Sequence, residues 1–196
     1  MEKVTKVKML ALALLLGLGL QSCSEDEAPA PENEEEVIDK VVLTFTPDGG
    51  GNPIAVTALD PDGEGSSPFE TSDITLSAST NYTLGVEFFN TATDENITEE
   101  VSAEGEEHMT FYGWTEGLFS DPTGNGNIDV RDDDVNYLDY DSNSLPVGLS
   151  TTWKTGEAAS GDFRLVLKHQ PGLKTATSTV EVGETDVDLT FNLIIE

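Results

Sequence analysis

Four stretches of the chain alternate apolar and polar residues with a period of two. Val41, Leu43 and Phe45 fall on one face of the first; Tyr82, Leu84, Val86 and Phe88 on one face of the second. Phe163, Leu165 and Leu167 share a face in the third, and Val187, Leu189, Phe191 and Leu193 in the fourth. Each run is bounded by Gly, Pro, Asn or Asp, which is the signature of half-buried strands. Shorter runs bring the expected strands to eight: 40–46, 53–59, 73–77, 81–90, 108–114, 148–155, 161–169 and 186–195. The glycine-rich run Pro47 to Pro53 supplies the positive φ that a hairpin connection needs. The only helix-like stretch, Ile97 to Glu107, is acidic and lacks a wide apolar stripe. The pattern therefore predicts an all-β domain, an antiparallel β-sandwich of about eight strands with immunoglobulin-like or Greek-key connections. A closed barrel is the alternative.

The first residues do not belong to that domain. Lys3, Lys6 and Lys8 lead into an apolar run from Met9 to Leu20. That run is shorter than the roughly 20 residues a bilayer span requires, and acid follows it, so residues 1–22 read as an export signal. Leu20-Gln21-Ser22-Cys23 resembles the lipobox of bacterial lipoproteins. The resemblance implies that Cys23, the only cysteine, is acylated and becomes the first residue of a mature chain held to outer-membrane lipid. The competing reading is a free thiol. Ser24-Glu25-Asp26-Glu27 resembles the acidic signal that directs Bacteroidota lipoproteins to the outer face of the outer membrane. Residues 23–39, rich in Glu and Pro, are expected to be an extended tether, leaving 40–196 as one domain.

Charge narrows the partners. The full chain carries −29, and loss of the signal's net +2 leaves −31. No Lys or Arg occurs between Val41 and Val130. Nucleic acid is excluded as a partner, as is electrostatic attachment to anionic head groups. Cations are attracted, and whether one is held depends on geometry.

Two kinds of cation site are candidates. Residues 121–132, "DPTGNGNIDVRD", resemble a dockerin-type calcium loop, with Asp121, Thr123, Asn125, Asn127, Asp129 and Asp132 offering oxygens and Gly126 at the turn. The loop has Thr in place of Asp at its third position and no flanking helices. Asp60, Asp62 and Glu64 form a smaller oxygen-rich loop, as do Asp139, Asp141 and Asn143; for each, the ordinary alternative is a solvated turn. The second kind is a transition-metal set. His108 opens one expected strand and His169 closes another, so if those ends met, two imidazoles with Glu106 or Glu107 would suit zinc with an open fourth position. The alternative is two unrelated strand-end histidines.

The segments "NITEEVSAEGEEH", "PVGL" followed by "TTWKTG", "FRLVLKHQPG" and "GETDVDLTFNL" look like a family of small Bacteroidota surface lipoproteins often labelled "type 1 periplasmic binding fold". The resemblance spans Lys40 to the end and implies an accessory of a TonB-dependent receptor that captures metal ions or small solutes. The label itself conflicts with the β pattern, since that fold is α/β. Catalytic signatures such as G-x-S-x-G, H-E-x-x-H or a P-loop are absent, and no organic cofactor is indicated. Tyr112, Trp114 and Trp153 either stack a sugar or fill a core. Two functions are thus expected to compete: a non-enzymatic surface binding module for zinc or another small solute, and a calcium-stabilised adhesive or glycan-binding β domain.

Overall fold

The computed structural model describes residues 36–63, 68–123 and 135–196. Cys23, the export signal, most of the tether, Glu64, Asn125, Asn127, Asp129 and Asp132 lie outside the described residues.

The described residues form an all-β fold of two sheets with one short helix. All eight expected strands are present: β1 (Lys40–Pro47), β2 (Ile54–Leu59), β4 (Ile74–Leu76), β5 (Asn81–Asn90), β7 (His108–Trp114), β10 (Ser150–Thr155), β11 (Ala159–His169) and β12 (Glu184–Ile195). Four short strands join them: β3 (Glu70–Thr71), β6 (Glu95–Asn96), β8 (Phe119–Asp121) and β9 (Asn136–Tyr137). One sheet runs β3-β2-β1-β5-β10-β8, with β6 paired to β5 and β9 to β10. The other runs β4-β12-β11-β7, antiparallel except for the β4–β12 pair. The larger sheet curls into a half-barrel instead of lying as one flat face of a sandwich. Right-handed twist accumulates across its strands, and a bulge at Lys154 and Thr155 bends β10 further.

The alternating residues that predicted the strands form the core: all those on the four apolar faces are buried. Aromatic rings fill its centre. Trp153 of β10 meets Phe163 of β11 at 5.2 Å and Trp114 of β7 at 5.1 Å, both edge to face, the arrangement the ring quadrupoles favour. Tyr112 joins them and donates its hydroxyl to the Gly148 carbonyl. Tyr112, Trp114 and Trp153 are therefore core residues and offer no sugar-stacking platform. On the side of β7 away from β11, Thr110 N–H donates to the Val147 carbonyl at 2.7 Å, which pairs one group of an edge that could otherwise invite another strand.

The helix α1 (Ile97–Ala103) occupies the first part of the acidic helix-like stretch. Asn96 caps it by accepting from Thr98 N–H, Glu99 and Glu100 sit in the first turn where the helix dipole favours them, and Ile97 and Val101 supply a narrow buried edge. It ends at Glu104, whose carbonyl then accepts from the N–H groups of both Glu107 and His108. That turn delivers the chain into β7.

The packed domain begins before Lys40. Residues 36–39, expected to close the tether, form a strap against the sheet: Ile38 and Asp39 are buried. Asp39 is held by its own N–H on the Phe89 carbonyl and by a carboxylate that accepts from both N–H and hydroxyl of Thr91.

Candidate metal centre

β7 and β11 pair antiparallel with His108 directly opposite His169. Both lie on the inner-facing row that continues through Tyr112, Trp114, Leu167, Leu165 and Phe163, and both are buried. Their rings stack at 4.4 Å between centroids and within 5° of parallel. The two strand ends that the sequence left unconnected are thus brought into contact by register.

His108 Nδ1 lies 3.2 Å from the Glu104 carbonyl oxygen. A carbonyl only accepts, so Nδ1 carries the proton and, in the neutral ring, Nε2 presents its lone pair. That nitrogen faces Glu36 Oε1 at 3.2 Å, with the His108 side chain fully buried and that of Glu36 only 7 % exposed. A lone pair facing a carboxylate at this distance requires a proton or a cation between them. The separation suits either: a tetrahedral zinc with bonds of about 2.0 Å sets its ligands about 3.3 Å apart.

Asp186 completes the group. β12 bulges opposite the step from Leu167 to Lys168, so Leu167 pairs with Val187 and Lys168 with Thr185, leaving Asp186 unpaired across the ladder. Bulges re-aim side chains in this way. Ligand atoms of Glu36, His108 and Asp186 lie within 4.8 Å of one another, as do those of Glu104, His108 and His169, and of Glu36, Glu100 and Glu104. Among the described residues, no hydrogen-bond donor reaches the buried Glu36 Oε2 or Asp186 Oδ2.

The electrostatics are those of a site short of positive charge. Burial and the neighbouring Glu36 carboxylate push the Asp186 carboxyl up to about 7. For His108, burial alone would disfavour the charged ring, yet the Glu36 carboxylate and the Glu104 carbonyl outweigh it and raise its pKa. Glu100 is also raised, by burial and by Glu36 and Glu104. Lys168, the buried cation nearby, has its pKa lowered by burial and donates to Thr185 Oγ1.

Of the carboxylates expected beside the histidines, Glu107 approaches His169 Nε2 at 3.5 Å. Glu106 is turned away and accepts a hydrogen bond from Ser142, because consecutive residues of the turn before β7 point in different directions. Glu36, Asp186 and Glu104 are the carboxylates grouped around His108. Glu36 was masked by the acidic tether around it, although the apolar pair Val37-Ile38 breaks that tether's pattern. Asp186 owes its position to a bulge that period-two reading cannot register.

Among the described calcium candidates, the carboxylates of Asp60, Asp121, Asp139 and Asp141 already accept hydrogen bonds, while Glu64, Asn125, Asn127, Asp129 and Asp132 lie outside the described residues. Asp121 accepts from Asn136 at the end of β8, and Thr123 lies two residues on, beyond Pro122. Asp60 closes its own turn by accepting from Asp62 N–H. Asp139 accepts from the N–H groups of Leu149 and Ser150, and Asp141 from those of Asn143 and Leu145, so both carboxylates organise backbone. Asp141 also pairs with Lys174 at 2.9 Å, each side chain 1 % exposed.

Comparison of the chain with protein-family models, curated proteins and solved structures returns no match.

Proposed function

We propose that this protein is a non-enzymatic binding lipoprotein of the outer-membrane surface that captures a divalent transition metal, zinc being the best fit, on behalf of a TonB-dependent receptor. The observation that carries the metal reading is His108 Nε2 facing Glu36 Oε1 at 3.2 Å while Nδ1 is committed to the Glu104 carbonyl. An imidazole with two carboxylates suits zinc better than calcium, which takes six to eight oxygens. His169, stacked on His108, holds the plane of the ligating ring. Burial of the cluster favours retention of an ion over admission of a substrate. The location and receptor rest on the lipobox-like Leu20 to Cys23, the acidic residues after it and the family resemblance.

The test is the thermal melt of the mature chain, unlipidated through Cys23→Ser, after chelation and with zinc or calcium restored. A ligand that binds only the folded state raises stability by about 2.7 kcal/mol at a hundredfold excess over its Kd. The expected result is a rise with zinc that His108→Asn abolishes. A rise with calcium alone would transfer the assignment to the oxygen-rich loops, and no rise with either would refute metal capture.

A further inference from the structure

We infer that the metal is clamped between the domain and the end of its own membrane tether, with Glu36 as the ligand that closes the site. This rests on the metal reading above and adds what that reading does not contain: occupancy fixes where the tether leaves the domain.

The strap makes the argument. Its downstream end is secured without any ion. Ile38 is 1 % exposed, and Asp39 is anchored by Thr91, by the Phe89 carbonyl and by a backbone bond from Asp60 N–H to its own carbonyl. Val37 is 41 % exposed and contributes little burial. Docking of the residue before it therefore depends on the Glu36 side chain.

That side chain is enclosed and only partly satisfied. Its carboxylate is nine-tenths buried, its Oε1 lies 3.2 Å from His108 Nε2, and its Oε2 meets no donor among the described residues. The other close groups include the carboxylates of Asp186, Glu100 and Glu104. A buried carboxylate among carboxylates is unfavourable unless paired. An ion bound to His108 and Asp186 turns the same position into the favoured one. Without the ion, the last fixed point of the tether is Ile38; with it, the fixed point is Glu36. Two residues upstream of Ile38, the chain is tied to the far side of the site and the ion is covered by the strap.

The experiment uses the mature chain with Cys23→Ser, and the same chain carrying Glu36→Gln, each titrated with zinc and followed by hydrogen exchange of the peptide that spans the tether and strap. The Glu36→Gln change keeps the size of the side chain and removes its charge, and its place at the edge of the domain leaves folding intact. The expected result is that zinc slows exchange at Glu36 and Val37 by about tenfold or more in the parent. The variant should bind zinc about tenfold or more weakly and show no slowing at those amides. Equal zinc affinity in both chains, or zinc binding that leaves the strap's exchange unchanged, would overturn the clamp while leaving metal capture intact. Failure of the parent to bind zinc would overturn both.

Discussion

His108 and His169 face each other across the β7–β11 ladder and stack with their rings 4.4 Å apart and nearly parallel. The two stacked imidazoles are buried beside several carboxylates. They can share their surroundings with one cation. The account of this protein turns on that arrangement and on the carboxylates of Glu36 and Asp186 that converge on one of the two rings.

Replacing His108 separates its two roles. In His108→Asn, the amide N–H can still donate toward the Glu104 carbonyl, while the nitrogen facing Glu36 is gone. The variant is expected to stay folded, within about 1–3 kcal/mol of the parent, and to show no zinc-induced rise in Tm. Melting curves with and without zinc check both parts.

Asp186→Asn is expected to stabilise the metal-free domain. Burial and Glu36 make the Asp186 carboxylate unfavourable where it stands, and the amide removes that charge at little change in shape. A gain on the order of 1 kcal/mol would appear as a Tm increase of about 2–4 °C for a chain of this size. The same substitution should weaken zinc binding. Opposite signs for stability and affinity mark a residue kept for its ligand, and calorimetry of the metal-free and loaded forms reads both.

The Asp141–Lys174 pair should behave as a buried ion pair with a definite pH window. Burial alone would raise the Asp141 carboxyl, but the Lys174 ammonium and the N–H groups of Leu145 and Asn143 hold it below its ordinary value of 3.8. A carboxyl depressed in the folded state contributes stability above its unfolded pKa and loses it as pH falls through the folded one. Lys174→Met leaves the carboxylate buried without its partner and is expected to cost about 3 kcal/mol near neutral pH. The gap between parent and variant should shrink as pH falls below 3.8, which denaturant titration at several pH values will show.

Gly183 stands just before β12 with φ +75°, and a Cβ there would run into the His169 carbonyl oxygen. Gly183→Ala must therefore move the loop or the end of β11. The expected loss is about 2 kcal/mol or more, with a weaker zinc response, because the displaced strand end carries His169. The zinc-dependent Tm of this variant, compared with that of the parent, checks it.

What the sequence could reveal follows from how each feature is encoded. The long strands were legible because Val41 to Phe45, Tyr82 to Phe88 and Val187 to Leu193 bury every second residue, a pattern that survives any tertiary arrangement. Strands β3, β6, β8 and β9 have two or three residues, too few for alternation to register. The curl of the larger sheet depends on twist and on the bulge at Lys154, neither of which leaves a periodic trace. His108 and His169 were visible as strand-end residues, but their contact depends on the pairing of strands far apart in sequence. Glu106 and Glu107 are near His108 in sequence, whereas Glu36 and Asp186, which join Glu104 around it in space, come from a strap and a bulge.

The most direct test is X-ray absorption at the zinc edge of the loaded mature chain. The account predicts nitrogen and oxygen neighbours at about 2.0–2.1 Å, with the outer-shell scattering of an imidazole that disappears in His108→Asn. A shell of oxygen alone, or an imidazole signal that survives His108→Asn, would contradict it.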